Sequence, residues 1–276
     1  MIYIVTNHHG HDRFLNLQAK YVSNHTSGPY KVYCGMSEVP RAHGEEKYFT
    51  NHSFFDLTEV KNDHGIKMNH LTALIQENEQ ISDDDILVFL DGDAFPIDMW
   101  EDTVQSELEN HALVSVYRTE NIELLMPEDQ KPYPHLLFVA AKAKFWFDNE
   151  LSWERDVSKQ ILAYGPYLKF WLEENNHTTY PLFRTNKVDI HPLFFGVYGD
   201  LVYHHGSSSG NKNVYDSYDV WSRMGLNDTD EVDIKYCDLD LRYPSIPSFN
   251  GDLSNLVYNY ILRDDNFIKN FFLGKK

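Results

Sequence analysis

Ile86-Leu87-Val88-Phe89-Leu90-Asp91-Gly92-Asp93-Ala94-Phe95-Pro96 is the stretch from which the rest of the chain can be read. Its five leading apolar residues, rich in β-branched and aromatic types, predict a short strand buried on both faces. The strand ends at two carboxylates separated by one glycine. Side chains alternate along a strand, so Asp91 and Asp93 share a face if extension continues. Gly92 lets the backbone bend and leaves room beside the acids, and Pro96 closes the segment. Acids at the carboxyl end of a buried strand stand where open α/β sheets bind ligands. Hard oxygen ligands of this kind suit Mg2+ or Mn2+ carrying a diphosphate. As a bare tripeptide Asp-Gly-Asp is an ordinary surface turn; the buried strand before it favours a site.

The chain has 276 residues, enough for one α/β domain with elaborations, and a 42% hydrophobic fraction that supplies a core. Its 24 basic against 42 acidic residues give a formal charge of −18. Such a surface repels phosphate backbones, so nucleic acid is not an expected partner. The two cysteines, Cys34 and Cys237, have no metal-ligand spacing and suit a reducing compartment. Met1 to Thr6 lacks the basic start and apolar length of a signal segment and reads as a strand. No apolar run is long enough to span a bilayer. A cytoplasmic location is expected.

In chain order, a strand at Ile2–Thr6 leads into a polar loop, Asn7-His8-His9-Gly10-His11-Asp12. A helix from Arg13 to Ser23 follows, with Phe14, Leu17 and Tyr21 on one face, and then a strand at Tyr30–Cys34. Strand, loop, helix, strand opens a nucleotide-binding α/β unit. Thr6, Asn7 and His8 are therefore candidate donor contacts; we prefer a solvated loop near the base to a metal site built from the three histidines. A strand is expected near Phe54–Leu57 and a helix over Ile66–Asn78. Lys67 sits in the first turn of that helix, where the dipole disfavours a cation. It is either a surface lysine or a cation facing a diphosphate. Further elements are a helix at Asp98–Asn110, strands at Ala112–Tyr117 and His135–Ala141, and helical stretches at Lys142–Asp148 and Val157–Asn175. Leu201-Val202-Tyr203-His204-His205-Gly206 predicts one more strand. Beyond Asn211 we read no sheet signal, only helices near Asp252–Leu262 and Asn266–Leu273.

Several of these segments together resemble a known family. Phe89 to Ile97 is similar to the DXD region of GT-A glycosyltransferases, and in particular of a group of bacterial glycosyltransferase-like proteins of unassigned activity. Arg118-Thr119-Glu120-Asn121 resembles that group's Arg-x-Glu-Asn segment. Lys131-Pro132-Tyr133-Pro134-His135 is similar to its Gln-Pro-His-Pro stretch, and His191 through Gly206 matches best. The resemblance covers residues 1–210, read as the catalytic domain; 211–276 is read as a C-terminal extension packed on it. It implies a GT-A, Rossmann-like nucleotide-diphospho-sugar transferase fold, with a mixed central sheet flanked by helices. It also implies Asp91 and Asp93 as metal ligands, joined by a C-terminal histidine, His204 or His205. On a strand these two point to opposite faces. Alternation does not choose between them; we lean to His204.

The activity this implies is metal-dependent transfer of a sugar from a UDP- or GDP-sugar to a glycan, lipid or small-molecule acceptor. Mn2+ or Mg2+ would offset charge on the departing diphosphate. Arg118 and Lys67 would add positive charge, and Glu120 and Asn121 would bond sugar hydroxyls. Inverting relatives carry an acid where this chain has Ala163. The substitutes are Glu154 and Asp156, either of which also reads as a helix-start acid. The missing acid leans the reading toward retention. Trp146, Trp153, Tyr164, Tyr167 and Trp171 are candidates for an acceptor cleft, although most of them are expected to be core. A nucleotidyltransferase is disfavoured by the lack of a Gly-rich basic loop after the first strand. A metal-dependent phosphoester hydrolase and a non-catalytic sugar-binding protein stay open.

Overall fold

The computed structural model describes residues 1–10, 13–39, 46–61, 63–119, 132–153, 165–191, 194–206, 232–236, 239–243 and 246–275. Ile86–Asp91 forms β4, near the middle of a seven-stranded sheet. Its neighbours are β1 (Ile2–His9), β2 (Tyr30–Ser37) and β3 (His52–Asp56) on one side, all parallel to it. On the other side lie β7 (Pro134–Lys142), β6 (Leu113–Tyr117) and β8 (Thr179–Leu182). β7 is antiparallel to both β4 and β6, and β6 is parallel to β8. The order is therefore β3-β2-β1-β4-β7-β6-β8, a mixed sheet that changes direction at the β4–β7 boundary.

Period-two alternation sorts the strand side chains into two layers. Ile2, Ile4, Ile86, Val88 and Leu90 pack with Leu15 and Val22 of α1 (Leu15–His25) and with Trp100 and Val104 of the α3 region (Glu101–Glu107). Tyr3, Val5, Leu87 and Phe89 pack on the opposite face. There they meet Met68, Leu71 and Ile75 of α2 (His64–Asn78), Trp146 of α4 (Ala143–Asp148), and Leu168 and Leu172 of α5 (Gly165–Glu174). Helices cover both faces, so Ile86–Leu90 is apolar throughout rather than alternating. α2 begins where the Asp63 carboxylate accepts the Ile66 N–H at 3.1 Å, an N-cap.

A second sheet carries β5 (Ala94–Pro96), β10 (Val202–His204) and β9 (Gly196–Tyr198), in the order β5-β10-β9. The β9–β10 turn holds Gly199 and Asp200 at φ of 59° and 60°, and the Leu201 N–H reaches the Tyr198 carbonyl at 3.0 Å. Two positive φ values mark a type I′ turn, which matches strand twist and favours Gly and Asp. Behind this sheet, α6 (Ile246–Arg263) and α7 (Phe267–Phe272) join Phe14, Phe95, Phe195 and Tyr203 in a third apolar cluster. Among the described residues, no helix is long and apolar enough to cross a membrane.

The structure departs from the sequence pattern at two places. β1 runs on to His9, so Asn7 and His8 belong to a strand and not to a loop. Residues 232–236 and 239–243 pair as an antiparallel hairpin, β11 and β12, where no sheet was expected. Val-Asp-Ile-Lys-Tyr and Leu-Asp-Leu-Arg-Tyr alternate apolar with polar, so the signal was in the sequence.

Glu101 ties the α1–β2 connection to α3. Its carboxylate accepts the Ser27 N–H at 2.6 Å, the Ser27 hydroxyl at 2.8 Å and the Gly28 N–H at 2.8 Å, and it is 5% exposed. Charge-assisted bonds at a buried acceptor are strong, and removing the acceptor strands the donors. Glu101→Ala is expected to cost about 3 kcal/mol in chemical denaturation, with Glu101→Gln in between. A loss below about 0.5 kcal/mol, the range of a neutral surface change, would contradict this role.

Candidate functional site

The site grows from the turn between β4 and β5. Gly92 must pass close to β1: a Cβ there would lie 2.6 Å from the Asn7 carbonyl oxygen, so any larger residue pushes the turn away. Gln18 of α1 holds the turn from beneath. Its amide donates to the Asp91 and Ala94 carbonyls, both at 2.7 Å. Its oxygen accepts the Thr6 hydroxyl at 3.0 Å and His8 Nε2 at 3.1 Å. Because the amide oxygen only accepts, Nε2 of His8 carries the proton. Gln18 is 3% exposed and bridges helix, first strand and acidic turn.

β10 supplies the third group. It pairs antiparallel with β5 in a register that sets His204 opposite Ala94, and the His205 N–H extends the ladder to the Asp93 carbonyl at 3.1 Å. This brings His204 Nε2 to 3.2 Å from Asp93 Oδ1. One donor atom each from Asp91, Asp93 and His204 lie within 4.8 Å of one another. Asp93 and His204 are 6% and 5% exposed, while the Asp91 side chain is a third exposed. Burial foremost, and then the Asp93 charge, raises the Asp91 pKa; His64 and His204 pull the other way. Two carboxylates and an imidazole in one recess form a donor set that fits a divalent cation such as Mn2+. Among the described residues, no hydrogen-bond partner meets the buried Nδ1 of His204.

Other candidates are distributed around this core. Lys67 is buried, 3% exposed, and not a surface lysine. Burial lowers its pKa, and the charges of Glu38 and Asp63 oppose that shift. Arg118 stands just past β6, where its charge acts on Tyr133 and His135. Glu120, Asn121 and Asp156 lie outside the described residues, as do Glu154, Ala163 and Tyr164. Two histidines were not anticipated. His64, the first residue of α2, places Nε2 3.7 Å from Asp91 Oδ1. His135, the second residue of β7, lies just past the end of the β4–β7 pairing. His64 carries no sequence signal of its own, and His135 stands in the Lys131–His135 stretch without any pattern that marks it as part of the site.

Several expected roles look different in three dimensions. Thr6 and His8 support the acidic turn through Gln18, and Asn7 is 4% exposed with Oδ1 accepting the Ser37 hydroxyl at 3.4 Å. His205 turns away from the acids. Its Nδ1 meets the Tyr203 hydroxyl at 3.0 Å and its Nε2 meets Ser254 Oγ at 2.9 Å. With both nitrogens engaged and the ring buried, His205 is outside the ligand group. Burial lowers its pKa to about 3. Trp146 and Trp153 are core residues packed on Phe89, as most of the candidate aromatics are expected to be.

No family model matches the chain, and no curated protein does. Partial likenesses to solved structures exist. The galactosyltransferase LgtC, in complex with donor and acceptor sugar analogues, is 16% identical with a TM-score of 0.35, over 63% of this chain and 65% of that one. The mannosyltransferase PcManGT from Pyrobaculum calidifontis, in complex with GDP-Man and Mn2+, is 11% identical with a TM-score of 0.46, over 65% and 54%. A CMP:2-keto-3-deoxy-manno-octonic acid synthetase complexed with CTP is 10% identical with a TM-score of 0.38, over 69% and 93%. The chain thus spans just under two thirds of LgtC and about half of PcManGT. Likeness at this level assigns no chemistry.

Proposed function

We propose that the chain is a metal-dependent glycosyltransferase that uses a nucleotide-diphospho-sugar, of the UDP- or GDP-sugar class. The observation that carries this reading is the convergence of Asp91, Asp93 and His204 at the carboxyl end of β4, where the sheet passes from parallel to antiparallel. Open α/β sheets bind nucleotides outside the carboxyl ends of their parallel strands, here β1, β2 and β4.

Asp91, Asp93 and His204 hold the cation, which when bound neutralises charge on the leaving diphosphate. Gln18 and the β5–β10 ladder keep these ligands in place without substrate, so little reorganisation accompanies binding. Arg118 adds positive charge from the β6 side. Glu120 and Asn121 contact sugar hydroxyls, and Asp156 remains the candidate base if transfer inverts. The acceptor is a glycan, lipid or small molecule.

The test is a panel of UDP- and GDP-sugars with and without Mn2+, followed by thermal shift and by release of nucleoside diphosphate. Stabilisation that requires both metal and nucleotide-sugar is expected, with slow diphosphate release to water. Release of phosphate from simple phosphoesters, with no nucleotide-sugar effect, would replace this reading with a hydrolase. The histidines separate in the same assay. His204→Ala is expected to weaken Mn2+ binding by at least about tenfold, whereas His205→Ala changes stability more than metal affinity. Equal Mn2+ affinity in His204→Ala and wild type would remove His204 from the ligand set.

A further inference from the structure

His135 lies beside the metal-ligand group but is not part of it, and its hydrogen bonding defines what it can do. β7 pairs with β4 as far as Phe138 opposite Leu90, so His135 extends past the end of β4, alongside the acidic turn. On its other edge the register slips: Val139 stands opposite Ser115, yet His135 stands opposite Val116. A bulge of this kind re-aims side chains and recurs next to active sites. Within it the Leu137 N–H donates to His135 Nδ1 at 3.2 Å. A nitrogen that accepts an N–H has no proton, so the neutral ring carries its proton on Nε2. An Nε2–H cannot ligate a metal, but it is a hydrogen-bond donor.

The backbone and a neighbouring ring hold His135 in place. Tyr133 lies nearly parallel to it, with centroids 6.4 Å apart and planes at 16°. Any side chain at Gly165, the first residue of α5, would collide with the Pro134 carbonyl, so the backbone before His135 is clamped. The residue itself is only partly buried. Burial foremost, then the charges of Arg118 and His204, lower its pKa well below the usual histidine range, with Asp93 opposing. The ring stays neutral, unlike the cation that a diphosphate would attract.

We propose that His135 reads the sugar of the donor, its Nε2–H donating to a sugar hydroxyl on the β7 side of the metal ligands. This rests on the transferase reading of the same site. The parallel strands β1, β2 and β4 lie on one side of the acids and take the nucleotide. The antiparallel side, led by β7, is left for the group beyond the diphosphate. A neutral donor suits a hydroxyl oxygen, which is itself neutral.

Two isosteric changes separate this role from a structural one. Asparagine at 135 keeps an oxygen where Nδ1 stands and can still accept the Leu137 N–H, but it does not reach the Nε2 position. Glutamine reaches toward the Nε2 position. We would titrate wild type, His135→Asn and His135→Gln with Mn2+ alone, with Mn2+ and UDP or GDP, and with Mn2+ and UDP-glucose, UDP-galactose or GDP-mannose. In His135→Asn the expected result is unchanged Mn2+ and nucleoside-diphosphate affinity and about tenfold weaker binding of the nucleotide-sugar. His135→Gln should recover part of that loss. Imidazole 15N NMR of wild type should show Nε2 protonated and Nδ1 bare at neutral pH. Parallel weakening of diphosphate and nucleotide-sugar, no weakening of either, or an Nδ1–H tautomer would each overturn the proposal. A wild type that binds no nucleotide-sugar with Mn2+ overturns the transferase reading first, and this inference with it.

Discussion

Asp93→Ala is expected to lower Mn2+ affinity by on the order of a hundredfold or more, beyond the loss seen when only a ligand's outer partner is removed. Mn2+-dependent binding of nucleotide-sugar should disappear with it. Asp93 is 6% exposed and shares its recess with Asp91. Burying one carboxylate beside another is costly without a counter-charge. The metal-free variant should therefore be as stable as metal-free wild type, or more so. At a Mn2+ concentration of about 100 wild-type Kd the wild type gains about 2.7 kcal/mol from binding, and the variant gains about 0.4 kcal/mol or less. Asp93→Asn, which keeps the shape and removes the charge, should behave likewise. Equal donor affinity in wild type and variant, with or without a chelator, would sink the metal assignment.

Gln18→Met is expected to destabilise the protein by about 3 kcal/mol or more, because an isosteric apolar side chain strands several buried groups at once. The Asp91 and Ala94 carbonyls lose their donor, and the Thr6 hydroxyl and His8 Nε2 lose their acceptor. Each unsatisfied group costs roughly 1–3 kcal/mol, and relaxation of the turn recovers part of the sum. That relaxation moves the acids, so Mn2+ affinity should fall as well although Gln18 is not a ligand. Urea denaturation of metal-free protein and Mn2+ titration of folded protein measure the two effects. A stable variant with wild-type Mn2+ affinity would show that the turn holds its shape without this amide.

The sequence carries a signal for Gln18. Phe14, Leu17 and Tyr21 form the apolar stripe of α1, and Gln18 falls within it at helical spacing. A polar residue on a buried helix face implies a buried partner, but which partner depends on the strand packed beneath. Polarity misled the reading of β1 in the same way. Asn7-His8-His9 looks like a loop, yet the strand continues because Gln18 and Ser37 bond its polar side chains.

By itself the sequence determined the α/β class, the central strand and the two acids at its end. Ile86–Leu90 can be satisfied only by burial on both faces, and a carboxylate pair finds room for a counter-charge only where such a strand leaves the core. The choice between His204 and His205 was not in the sequence. Val202 packs into the main sheet's cluster and Tyr203 into the C-terminal one, so both faces of β10 are apolar and alternation carries no preference. Only the antiparallel pairing of β10 with β5 decided it. That register puts His204 level with Ala94 and its ring on Asp93, and sends His205 to Tyr203 and Ser254. The positions of His64 and His135 were decided in the same way. A single histidine at an element end has no periodicity to report, and its neighbours are set by how distant strands and helices pack.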